Sequence, residues 1–156
     1  MMAAFQSKQI DGMSNSPPWP LKPVVDGLSV VIASGPNGDP PNAIDFAYNV
    51  ILAKPETCEK RRAICVAVGQ VTKEAVAYMH SNPAEVRAIL GKKFPNLEPK
   101  LIEAAYAEIL KSTPKIPILT KEALDNADDF NVEAGMMKAA DKLKSYDGLY
   151  TDEFVK

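Results

Sequence analysis

At 156 residues the chain is long enough for one cored domain and short for two. Its 46% hydrophobic and 24% charged residues suit a soluble globular protein, and a formal net charge of −2 gives no basic face for nucleic acid. No run approaches the roughly 18 apolar residues of a membrane helix, and residues 1–8 are too short and too polar for a signal peptide.

Residues 2–8 read as the last turns of a helix, and residues 9–14 as a short strand. Pro17, Pro18, Pro20 and Pro23 exclude regular helix or central strand from residues 15–23. Leu28 to Ala33 is β-branched and apolar and predicts a strand, and Ile44 to Ala53 predicts a second. Ser34 to Asn42, with its Gly-Pro, Asn-Gly and Pro-Pro pairs, predicts the loop between them. Val50 and Leu52 share a face of the second strand with Phe46 and Tyr48, which would lie against the helix that follows.

From residue 54 onward the pattern is helical. Pro55 suits a first turn, Glu56 and Glu59 favour a helix N-terminus, and Ile64, Val68, Val71, Ala75, Tyr78 and Met79 recur at helical spacing. One long helix to about Met79 is expected. Asn82-Pro83-Ala84-Glu85 predicts a second helix, capped by Asn82 and ended by Gly91. A third covers about Pro99 to Lys111 and buries Leu101, Ala105, Ile109 and Leu110. Thr120 caps a fourth that runs to Ala134 with Gly135 as its stop. A short helix from Met136 to Lys144 and an aromatic tail from Tyr146 to Phe154 complete the reading.

Cys58 and Cys65 are the only cysteines. On one continuous helix their seven-residue separation spans about 10.5 Å along the axis, too far for a disulfide. The spacing is not a zinc spacing either, so two partly buried thiols are expected.

Gln9-Ile10-Asp11-Gly12 with Ser16-Pro17-Pro18-Trp19-Pro20, the run Phe46 to Ala53, Lys54-Pro55-Glu56, Ser81-Asn82-Pro83-Ala84-Glu85 and the stretch from Thr120 to Phe154 form an ordered series. In that order they resemble the C-terminal portion of ABC-importer substrate-binding proteins of the nitrate, sulfonate, taurine and thiamine-precursor type. The resemblance implies an α/β chain, a portion of a bilobate periplasmic-binding-protein-like fold with a few strands near the start followed by several helices. Residues 1–53 would be the end of the ligand-binding lobe with its hinge strands, and residues 54–156 the helical part of the other lobe. It spans only the latter half of the family's length, so the first half is expected to be missing and the apolar faces to lack part of their cover.

Carried over residue by residue, the cleft positions are Ser14, Asn15, Ser16, Pro17 and Trp19 from the first signature, with Tyr48 and Asn49 from the crossing strand. Hydroxyl and amide donors satisfy the oxygens of a small polar or anionic solute without formal charge, and an indole walls off water. A proline-rich turn with a packed tryptophan is the other reading of Ser14 to Trp19. An ordinary strand position is the other reading of Tyr48 and Asn49.

The implied function is the solute-binding component of an importer, with the membrane permease as partner and a periplasmic location for the full-length protein. The alternatives are the ligand-sensing domain of a regulator and a thiamine-pyrimidine-synthase-like enzyme. That enzyme depends on a cysteine-rich motif and histidine. Here His80 is the sole histidine and reads as a helix-end residue that meets a carbonyl. Asp125, Asp128 and Asp129 read as a solvated acidic face, and Gly35-Pro36-Asn37-Gly38 lacks the Lys and Ser/Thr of a phosphate loop. No catalytic residue, metal ligand or cofactor is assigned, and self-association through the proline-rich arm at residues 15–43 is expected.

Overall fold

Tyr106 shows how this chain builds its core. Its ring is buried at 3% exposure, its hydroxyl donates to the Met79 carbonyl, and the Arg87 guanidinium stands 5.7 Å from its centroid. Three helices therefore meet at one phenol. The computed structural model describes residues 1–39, 41 and 45–156. Among them are α1 (Met2–Gln6), α2 (Leu21–Val25), α3 (Pro55–Lys60), α4 (Arg62–Ser81), α5 (Pro83–Lys93), α6 (Pro99–Ser112) and α7 (Lys121–Glu133). They also include two 3-10 turns, Gly35–Asn37 and Ala139–Asp141.

The fold is all-helical, which overturns the α/β expectation: no β-strand occurs among the described residues. Residues 9–14, Leu28–Ala33 and Asp45–Ala53 are irregular or extended, and Asn42 and Ile44, which bound the expected loop and second strand, lie outside the described residues. The physical reason is pairing. β-Branched residues favour a pleated, half-covered surface, and a strand needs a neighbour to take up its backbone groups. No such neighbour occurs among the described residues, and Val30 is 81% exposed, Ile32 88% and Leu52 87%. Phe46 packs edge-on against Phe130 of α7, at 5.5 Å between centroids, instead of against the helix that follows it.

α6 is the hub, and α2, α5 and the Gly35–Asn37 turn all pack on it. Leu101, Ile102, Ala105 and Tyr106 are its buried stripe. The expected stripe shares Leu101 and Ala105, but Ile109 is 39% exposed because the buried face turns toward Ile102 and Tyr106. α2 forms inside the segment where prolines were expected to exclude helix. Pro23 sits at the third position of a single turn, where its missing N–H has no helical acceptor to lose, and it is fully buried. Lys22 links α2 to Glu98, just ahead of α6, at 3.0 Å.

Between α4 and α5 the chain turns at Asn82. Its side-chain amide serves the outgoing helix, donating to the Tyr78 carbonyl at 3.3 Å, and does not cap α5. Gly91 does not end α5, which continues to Lys93; the glycine lies where Ile102 of α6 approaches. α7 follows its expected signals. Thr120 Oγ1 accepts the Ala123 N–H at 3.1 Å, and Gly135 takes the left-handed conformation at φ +70° that stops the helix. The expected helix at Met136–Lys144 is only a 3-10 turn.

The single helix expected from Pro55 to Met79 is two helices, broken at Arg61 with φ −132° and ψ 44°. Across that break Cys58 and Cys65 form a disulfide with Cα atoms 5.6 Å apart. The exclusion of a disulfide assumed an unbroken helix, and the bend removes that premise. The C-terminal tail returns to α4: Glu153 pairs with Arg62 at 3.2 Å, the Arg62 guanidinium lies 5.2 Å from the Phe154 ring, and Gly69 abuts the Phe154 backbone. A Cβ at Gly69 would collide with the Phe154 carbonyl, which explains a glycine inside a 20-residue helix. No described helix is long and apolar enough to cross a membrane.

Met79 lies in the last turn of α4, so its carbonyl has no helical donor and depends on Tyr106. Tyr106→Phe is expected to destabilise the chain by about 1–3 kcal/mol through that orphaned acceptor. Tyr106→Ala should cost about 3–5 kcal/mol because a cavity opens as well. Urea unfolding followed by circular dichroism measures both.

Candidate ligand-contacting surface

The residues singled out in the sequence fall on two segments, and one contact joins them. Ser16 Oγ lies 3.4 Å from Tyr48 Oη across 32 positions of sequence. Asn15 Oδ1 accepts the Ser16 N–H at 2.8 Å, which orients the serine backbone. Pro17 follows, joined to Pro18 by a cis peptide bond, and Trp19 stands at 53% exposure on the turn that leads into α2. Ser14 and Asn49 are exposed.

The second segment is held from below by α7. Asn126 Nδ2 donates to the Asp45 carbonyl at 3.1 Å, and Ala47 donates its N–H to the Ala123 carbonyl at 3.1 Å. Asp45 takes a left-handed φ of +52°, which aspartate tolerates better than most residues. Phe46, wedged between Phe130 and Tyr48, turns the tyrosine outward to 70% exposure. The structure brings together the Ser16 and Tyr48 hydroxyls, with the Asn15 amide bonded beside them, while Ser14, Trp19 and Asn49 are exposed nearby in sequence with no contact to that pair. Such groups donate hydrogen bonds to the oxygens of a small solute.

The other residues of chemical interest have structural partners. His80 donates Nε2–H to the Thr113 carbonyl at 3.0 Å, so the carbonyl it serves is at the end of α6. Lys121 pairs with Asp125, Lys142 with Asp129, and Tyr146 donates to Asp128 at 2.7 Å. Tyr146 is 7% exposed. Burial pushes its phenol far above the usual range, and the Asp128 and Asp125 carboxylates push it further. No group of three or more His, Cys, Asp or Glu side chains able to hold a metal occurs among the described residues.

The glycine-bearing loop is bound to α6. Ser34 Oγ donates to Glu108 at 2.9 Å, and Lys111 Nζ bridges Asn37 at 2.7 Å and Glu108 at 3.0 Å. Sequence reasoning did not find this anchor, nor the supports from Asn126 and Ala123, because each joins residues more than seventy positions apart. The mid-helix Gly69 did carry a local signal of close approach.

Comparison with protein-family models, with curated proteins and with solved structures finds no match to this chain.

Partial burial alone would raise the Glu108 carboxyl, but the hydrogen bonds from Lys111 and Ser34 outweigh it and hold the group below the ordinary carboxylate range. The folded state therefore binds fewer protons at Glu108 than the unfolded state does. The stabilisation is complete above the ordinary glutamate value of about 4.3 and is lost as pH falls through it toward the lowered folded value. A Glu108→Gln chain should start less stable at neutral pH and lose less between roughly pH 5 and pH 3. Urea midpoints taken across that range check the slope.

Proposed function

We propose that this chain is part of the solute-binding component of an ABC importer. Its ligand would be a small anionic or polar organic solute such as a sulfonate, a nitrate-like anion or a thiamine precursor. The observation that carries the reading is the Ser16–Tyr48 contact, which joins two signatures that the resemblance places at one ligand site. The Cys58–Cys65 disulfide adds support, since structural disulfides belong to oxidising compartments such as the periplasm. It also weighs against a cytosolic regulator. In this reading Ser14, Asn15, Ser16 and Tyr48 donate to solute oxygens, Pro17 shapes the turn, Trp19 covers the solute, Asn49 lines the rim, and a membrane permease is the macromolecular partner.

The surface area supports a further partner. The chain exposes 11288 Å², against about 7,700 Å² for a compact monomer of 16.9 kDa. The excess of roughly 3,600 Å² per chain is well above the roughly 800 Å² that each partner gives to a standard interface. The exposed apolar residues include Val30, Ile32 and Leu52 on the extended arms and Val71 on α4. Self-association of this chain through those arms follows from the same proposal.

Trp19 is the only tryptophan, so its fluorescence reports directly on the site. In a thermal-shift and fluorescence panel of sulfonates, nitrate and thiamine precursors, a binding solute should raise Tm by several degrees at a hundredfold excess over Kd and change the Trp19 emission. Trp19→Ala should abolish the Tm shift. No response to any member of the panel defeats the proposal, and a full shift in the Trp19→Ala chain places the site elsewhere.

Light scattering at micromolar concentration should show a species of twice the chain mass or more. Replacing Val30 and Ile32 by Lys should return it to monomer. A cooperatively melting wild-type monomer contradicts self-association.

A further inference from the structure

The break between α3 and α4 has no ordinary breaker. Residues 56–68 contain neither Gly nor Pro, and the run from Glu56 to Ile64 is compatible with helix throughout. Helix kinks otherwise trace to proline, to glycine or serine, to a bulge, or to an inserted group. Here the break falls at Arg61, within the loop closed by Cys58 and Cys65. The observed Cα separation of 5.6 Å and the roughly 10.5 Å rise of seven residues in a continuous helix cannot coexist.

The two sides of the break are held unequally. α4 is tied to the tail by Arg62 on Glu153 and Phe154 and by Gly69 against the Phe154 backbone. α3 buries no residue, and the chain ahead of it is open, with Ile51 66% and Leu52 87% exposed. It is therefore the half free to move. Both cysteines are half-buried among exposed neighbours, from Glu59 to Ile64, so a small thiol can reach the bond.

We infer that the Cys58–Cys65 disulfide is the helix breaker of this chain, a covalent latch whose reduction lets α3 and α4 join into one helix from Pro55 to Ser81. In the reduction a dithiol reagent supplies two electrons and two protons. One of its thiolates attacks a cystine sulfur and expels the other cysteine as a thiolate. Its second thiolate resolves the mixed disulfide, leaving the reagent as a cyclic disulfide and the chain with two thiols. With the covalent constraint gone, Arg62 and Ala63 can bond to the Cys58 and Glu59 carbonyls, as helical amides four residues on. In the oxidised chain they open a new helix and lack acceptors within it. α3 then swings onto the axis of α4 and carries the apolar segment Val50–Leu52 with it.

The test compares three samples of the whole chain by amide NMR: oxidised, reduced with dithiothreitol, and a Cys58→Ser, Cys65→Ser double variant without reductant. In the reduced and double-serine samples the Arg61 Cα shift should become helical. Exchange at the Arg62 and Ala63 amides should slow by at least about tenfold. The α6 resonances, Tyr106 among them, serve as the control for an intact fold. An Arg61 that stays non-helical, with Arg62 and Ala63 still unprotected, overturns the inference. Collapse of the α6 resonances in both thiol-free and reduced samples also overturns it, because the bond would then be needed for folding and not for setting the helix path.

Discussion

The buried phenol of Tyr106 holds this architecture together. Its ring fills the space between α5 and α6, and its hydroxyl ends α4 by taking up the Met79 carbonyl. Helix ends leave carbonyls without donors, and a buried one needs a partner. α6 supplies that partner and is itself flanked by the Arg87–Glu103 ion pair at 2.9 Å and the His80–Thr113 bond. Pro23 of α2 and the Ser34–Glu108 anchor then attach the N-terminal third of the chain to the same helix. The core is small, with Val86, Leu101, Ile102, Ala105, Tyr106, Ala123 and Tyr146 as its buried hydrophobic residues among those described.

A small core leaves much uncovered. The α4 face formed by Ile64, Val68 and Val71 is 42%, 42% and 64% exposed, and the extended arms are more open still. Each buried Val, Leu or Ile side chain is worth about 1.5–3 kcal/mol, so these positions represent stabilisation that only further burial would realise. The candidate surface sits where one arm is caught. Phe46 on Phe130, with Ala47 and Asp45 bonded to α7, holds Tyr48 beside Ser16 while residues 49–53 stay exposed.

The helical half was legible in the sequence where the signals were local. Thr120 and Gly135 bound α7 as expected, Pro83 and Pro99 open their helices, and Leu101 and Ala105 are buried. These depend on caps and on periodicity within a few residues. The errors lie where a local preference met a distant partner. Asn82 serves the helix behind it, and Gly91 continues its helix where Ile102 approaches. Leu28–Ala33 has strand composition, but a strand is a relation between two segments, and no second segment among the described residues pairs with it.

What the sequence determined by itself was the helical character of the chain after residue 54, the starts of α5, α6 and α7, and the donor-bearing residue types of Ser14 to Trp19. Those properties reside in side chains and backbone within one or two turns. Only the tertiary structure decided that no described segment pairs as β, that Tyr48 meets Ser16, and that Cys58 meets Cys65. The last case shows the reason most directly. Helix propensity alone keeps the two thiols apart, and they meet, with Cα atoms 5.6 Å apart, only where the helix is broken at Arg61.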